Sequence, residues 1–169
     1  MDWDKDADDS CIALSPETMD ELGLFRGDTV KVISSTRSTI LVALSNPLCG
    51  QQSVMVGPGC MTSLSIAVGS SVRLCSASDV VYGKLLVLSI EPGSVAKGKE
   101  DDEVREHYIN PFFTEAYRPV SIGDSFTIPG PWGPLQFSVS TTEPEENVIV
   151  CPETEIQLQR GGLLHEMAP

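Results

Sequence analysis

The residues best suited to chemistry in this chain are two aspartates that each precede a hydroxyl residue, Asp28-Thr29 and Asp124-Ser125. Two carboxylates sharing one proton are a route to peptide hydrolysis. The aspartic-protease motif places a glycine directly after the Thr or Ser, but Val30 and Phe126 stand there. Both pairs are therefore expected to hold turns. The two histidines, His107 and His165, fall at the end of an acidic loop, KGKEDDEVREH, and in the C-terminal tail. No GxSxG supplies a nucleophile to either. No GxxxxGK[ST] is present to cradle a nucleotide, because Gly83-Lys84 and Gly98-Lys99 lack the earlier glycine and the following Ser or Thr. The expectation is a non-catalytic chain with no cofactor of its own.

Five cysteines, Cys11, Cys49, Cys60, Cys75 and Cys151, are scattered without a CxxC or a Cys/His cluster. That spacing argues against zinc and fits a reducing, cytosolic or nuclear compartment. No apolar signal region opens the chain, and no apolar run approaches a membrane span. The net charge of -13 opposes binding to nucleic acid or anionic membranes, both of which need clustered Lys and Arg, and it suits basic partners. A length of 169 residues, 41% of them hydrophobic, supports one domain or two small ones packed together.

The elements that must position any site read mostly as β-structure. The aspartate-rich lead-in, residues 1–9, is expected to be solvated. SPETMDELG predicts a short helix, with Ser15 as its cap, Pro16 in its first turn and Gly23 at its left-handed exit. TVKVIS alternates, with Val30 and Val32 on one face, and TILVALS is a continuous apolar run suited to burial on both sides. SVRLCS, LLVLSI, DSFTI, LQFSVS and NVIVC follow, separated by turn residues. LFRGDTVKV, IAVGSSVRL and VSIGDSFTI repeat one pattern at unequal spacings, 42 and 54 residues between the glycines. Gly27, Gly69 and Gly123 are expected at positive φ, with Asp28, Ser70 and Asp124 bonding the turn backbone. Such recurrence suits a pseudo-symmetric barrel. A boundary is placed in SASDVV, residues 76–81.

One stretch, YINPFFTEAYRPVSIGD, holds four of the ten aromatic residues and an Arg-Pro pair. With MDELGLFRGDTV and DVVYGKLLVL it resembles the amino-terminal domain of the valosin-containing protein family, the AAA+ segregases of ubiquitin-dependent extraction. The similarity runs in order from about Ser10 to Gly162. The related domain of N-ethylmaleimide-sensitive factor is a weaker fit, and a small enzyme on the same barrel is the rival from another class.

The resemblance implies a mainly β chain with short helices. Residues 1–78 would form a double-psi β-barrel, 79–81 a linker, 82–162 a four-stranded β-barrel subdomain and 163–169 a tail. It implies a cleft between the two subdomains that docks UBX-domain adaptors, arginine-rich helical motifs and the ubiquitin-binding heterodimeric adaptor. Carried over by position, that cleft comprises Asp8, Cys11, Asp28, Val42, Leu44, Val81, Tyr82, Ala116, Tyr117 and Arg118. Apolar walls and tyrosines would bury an inserted aromatic, and Asp8 and Asp28 would accept from a partner arginine. ATP and Mg would belong to downstream rings of a homohexameric parent. That parent would act in the cytoplasm and nucleus, and at the endoplasmic-reticulum surface through adaptors. Two departures from the family pattern flank the cleft: Cys11 stands for an aliphatic residue and Ser78 for a proline. The loop PGPWGP replaces a basic segment that faces the ring in the family.

Overall fold

A computed structural model of the protein describes residues 8–91 and 98–160. The chain is mainly β, with short helical segments and three sheets. Among the described residues none of these sheets closes on itself as a barrel. Most of the lead-in, the start of the acidic loop and the tail with His165 lie outside the described residues.

The first sheet takes β1 (Cys11–Leu14), β2 (Thr29–Ile33), β3 (Ser38–Ser45), β4 (Val54–Val56) and β5 (Arg73–Ser76) in the order β4-β1-β3-β2-β5. β1 and β3 run parallel, with Cys11 opposite Val42 and Leu14 opposite Ser45. Alternation places Leu41 and Ala43 of β3 in one core with Ile12, Leu14, Val30 and Val32. Ile40 and Leu44, which point the other way, are also buried, as the unbroken apolar run predicts. Helix α1 (Pro16–Leu22) starts where Ser15 Oγ accepts from the Thr18 amide at 3.1 Å and ends at left-handed Gly23.

The three Gly-Asp/Ser turns are built alike. Gly27, Gly69 and Gly123 have φ of 94°, 93° and 91°. At each turn the following side chain accepts from a backbone amide three residues back: Phe25 to Asp28 Oδ2 at 2.8 Å, Ala67 to Ser70 Oγ at 3.1 Å, Ser121 to Asp124 Oδ2 at 2.9 Å. Two of the turns are also clasped to a neighbouring strand in the same way. Gly27 donates to the Ala43 carbonyl and Ala43 donates to that of Asp28; Gly123 and Val139 repeat the exchange with Asp124. The recurrence read from sequence is therefore a repeated backbone device.

The second half carries two sheets. β7 (Leu85–Ile90), β9 (Ser125–Ile128), β10 (Leu135–Glu143) and β12 (Glu155–Arg160) align as β12-β7-β10-β9. β6 (Val81–Tyr82), β8 (Pro119–Ser121) and β11 (Asn147–Ile149) form the third sheet, β6-β11-β8. Val81 thus belongs to a strand of the second half, and residues 77–80 join the two halves.

Three readings of the chain need correction. The segment expected as an acidic loop is helical from Asp101 to Phe113: α3 (Asp101–Val104), a π turn (Arg105–Ile109) and α4 (Asn110–Phe113). Glu100 and Glu103 form a capping box at its start. Val104, Tyr108, Ile109 and Phe113 turn one face into the second core, a helical period that the dense charge around it obscured. A further helix, α2 (Pro58–Leu64), stands where only strands were expected; its small polar residues hide the signal that Pro58 carries in the first turn. Asp8 and Asp9, at the end of the supposedly solvated lead-in, are anchored. Asp9 Oδ1 accepts from the Gly59 amide at the start of α2, and Oδ2 from the Thr127 amide in β9.

Candidate functional site

The two halves meet along β3 and β8. At one end of that meeting line stands Arg118, between the αL-like residue Tyr117 (φ 48°) and Pro119. The Val150 amide donates to the Arg118 carbonyl, which ties this point to the third sheet. The Arg118 guanidinium lies 3.8 Å from the centre of the Phe112 ring, and its Nε donates to the Phe112 carbonyl at 2.8 Å. Its Nη1 pairs with Asp8 Oδ2 and donates to Ser10 Oγ at 3.1 Å. Arg118 is thus a bolt between the halves, with its planar fork matched to a carboxylate, a carbonyl and a hydroxyl at once.

Asp8 is occupied on both oxygens, since Oδ1 accepts from the Ser10 amide at 2.8 Å. Cys11 Sγ lies 3.9 Å from the same Oδ1. Burial, reinforced by the Asp8 charge, pushes the Cys11 thiol up from its ordinary value, so the thiol stays protonated and unreactive near neutral pH. Val42 is half-buried opposite Cys11, and its amide donates to the Ser10 carbonyl; Leu44 is buried two residues on.

On the second half, Val81, Tyr82 and Tyr117 are exposed, Tyr82 at 61% and Tyr117 at 49%. The two tyrosine rings stand 6.2 Å apart at 57°. They converge because Ile149 of β11 pairs with Tyr82 on one side and with Pro119 on the other. Ala116 is exposed next to Tyr117 and makes no bulk there. Asp28 is exposed on the first half, where its Oδ2 caps its own turn and leaves the side chain open to solvent.

The predicted residues therefore fall into two groups. Asp8, Cys11, Arg118 and Val42 meet directly or through Ser10, and Tyr82 pairs with Tyr117. Asp28 is joined to the first group only through the backbone exchange of its turn with Ala43, beside Val42 and Leu44. Sequence reasoning passed over Phe25, which is 78% exposed in that same turn. Its signal was a bulky aromatic inside a turn motif that needs none. It also passed over Phe112, whose half-buried ring carries the Arg118 guanidinium and stacks on Phe126 with centroids 5.4 Å apart.

Two exposed tyrosines and Val81 lie together on the second half, Asp28 keeps an exposed carboxylate on the first half, and the Asp8–Arg118 pair joins the two halves. Among the described residues no three His, Cys, Asp or Glu side chains are grouped to hold a metal. No helix of the described residues is long and apolar enough to cross a membrane. No protein-family model matches the sequence.

Proposed function

We propose that this chain is a non-catalytic adaptor-docking domain of an AAA+ segregase of the valosin-containing protein type. The observation that carries the reading is the pair of exposed tyrosine rings, Tyr82 and Tyr117, beside Val81 at the junction of the two halves. Large exposed aromatics held in place by a sheet are the usual anchors of protein interfaces. On this reading the five-stranded sheet with α2 corresponds to the double-psi β-barrel, and the other two sheets correspond to the four-stranded barrel subdomain. The three like-built turns support that correspondence.

The mechanism is reversible insertion. An aromatic from a UBX-domain loop, or the apolar face of an arginine-rich helix, seats between the tyrosines. A partner arginine is met first by Asp28, because Asp8 is already bound to Arg118. The ubiquitin-binding heterodimeric adaptor would use the same modes to bring substrates. ATP hydrolysis would belong to the hexameric rings of the parent protein. The net charge of -13 speeds encounter with basic motifs. Calorimetric titration with a UBX domain and with an arginine-rich helical peptide tests this. Saturable binding that Tyr117→Ala weakens supports it, and absence of binding to both ligands by the folded chain rules it out.

A further inference from the structure

Residues 114–118 bridge α4 and β8, and the backbone of this bridge is strained. Among the described residues three non-glycine residues have positive φ: Ser65, Glu115 and Tyr117. Two of them lie in the bridge, Glu115 at 57° and Tyr117 at 48°. The left-handed region disfavours any residue with a Cβ, and a bulky aromatic there is an outlier. Such a conformation persists only where its surroundings impose it. At the first end of the bridge the Thr114 amide donates to the Asn110 carbonyl at 2.9 Å, and Thr114 Oγ1 donates to the same carbonyl at 2.6 Å. The second end is Arg118.

The Arg118 Nε reaches back to the Phe112 carbonyl, in the last turn of α4 where carbonyls lack a helical donor. Its guanidinium lies on the Phe112 ring, which is stacked in turn on Phe126 of the second core. The Arg118 carbonyl accepts from the Val150 amide at 2.8 Å. Between the two ends, residues 115–117 make one hydrogen bond, from the Ala116 amide to the Phe113 carbonyl at 3.4 Å. The Tyr117 backbone is therefore set by what holds Arg118. The Tyr117 ring is exposed and stands 6.2 Å from that of Tyr82, whereas the Arg118 side chain is only 20% exposed and bonds inwards.

We propose that Arg118 is a positioning residue for the tyrosine pair: by closing the loop back to Phe112 it holds Tyr117 in the left-handed region and keeps its ring against Tyr82, without itself touching the partner. The effect on docking rests on the adaptor reading above, while the placement of the ring rests on geometry alone. Once Arg118 lets go of Phe112, the bridge relaxes towards negative φ and the rotation carries the Tyr117 ring away from Tyr82. A ring already in place spares the partner the cost of ordering it. Lysine cannot stand in. Its ammonium can still pair with Asp8, but it has neither the Nε–H that meets the Phe112 carbonyl nor the flat face that lies on the Phe112 ring.

Two readouts on the whole chain test this. The first needs no partner: nuclear Overhauser contacts between the ring protons of Tyr82 and Tyr117, present in the wild type and lost in Arg118→Lys. The second is calorimetric affinity for a UBX domain, which Arg118→Lys should weaken about fivefold and no more than Tyr117→Ala does. In a Tyr117→Ala background the same lysine should change affinity by less than about twofold, because the ring through which Arg118 acts is gone. Tyr108→Phe, which loosens the same half away from the bridge, should leave both readouts unchanged. Should the lysine variant not fold, Phe112→Leu takes the ring from beneath the guanidinium and should move both readouts in the same direction. Ring contacts that survive in the folded variant, equal losses of affinity with and without Tyr117, or the same losses in Tyr108→Phe would each overturn the assignment. A wild type that binds no UBX domain would instead overturn the docking reading, and the ring contacts would still decide what holds Tyr117.

Discussion

Removing the Arg118 side chain should cost far more than neutralising its acidic partner, because the guanidinium makes three kinds of contact and only one of them is ionic. Arg118→Ala loses the pair with Asp8, the Nε bond to the Phe112 carbonyl and the stacking on the Phe112 ring. Asp8 is 36% and Arg118 20% exposed at the side chain, so solvent screening holds the ionic part to about 1 kcal/mol. The carbonyl bond adds about 1 kcal/mol and the cation–π contact about 1 more. The sum is about 3 kcal/mol for Arg118→Ala, against about 1 kcal/mol for Asp8→Asn. Urea unfolding separates these cleanly. With a slope on the order of 2 kcal/mol per molar, the midpoint should fall by about 1.5 M in the first variant and about 0.5 M in the second. The double variant should then be no worse than Arg118→Ala, because the charge of Asp8 has lost its partner. Equal losses in the two single variants, or strict additivity in the double, would refute the assignment of Arg118 as the bolt between the halves.

Three further outcomes are expected. Tyr108→Phe should cost about 1–2 kcal/mol and shift the fluorescence of Trp132, because the lost hydroxyl donates to the Gly133 carbonyl at 2.7 Å and accepts from the Trp132 amide at 3.1 Å; unchanged emission and melting would contradict it. Gly123→Ala should destabilise more than Gly69→Ala in thermal unfolding. Both have φ near 90°, but only at Gly123 would a Cβ fall 2.6 Å from Arg37 Nη1, so equal effects would contradict the Arg37 contact. Asp124, raised from 3.8 to about 6 by burial, contributes stability that is complete below about pH 4 and is lost as pH rises through 6. The loss should be on the order of 3 kcal/mol relative to Asp124→Asn, read by denaturation at fixed pH values, and a constant difference between the two proteins would contradict it.

Local signals carried much of this fold. Ser15, Pro16 and Gly23 bracket α1 because capping chemistry depends on a few adjacent residues. Gly27, Gly69 and Gly123 mark three turns because only the conformational freedom of glycine suits φ near 90°. Where the sequence misled, tertiary context outweighed local pattern. The helical face of Val104, Tyr108, Ile109 and Phe113 is interleaved with Asp, Glu, Arg and His, so the charge of the loop masked its period. Asp8 and Asp9 look solvated among other aspartates, yet their partners, Arg118 and the Thr127 amide, stand 110 and 118 residues away. The same distance explains the candidate site. Tyr82 and Tyr117 face each other because β6, which carries Tyr82, and β8, which begins two residues after Tyr117, both pair with β11, which nothing near either residue announces. Arg118 was legible as a functional position only through the family resemblance, and in the structure its guanidinium is turned inwards.

The central claim is that Tyr82 and Tyr117 form the lip of an adaptor cleft, and calorimetric titration of the wild-type chain and Tyr117→Ala with a UBX domain tests it most directly. The account predicts saturable one-to-one binding, weakened by on the order of 1–2 kcal/mol in the variant while circular dichroism stays unchanged. Equal affinity of the two folded proteins, or no binding by the wild type, would contradict it.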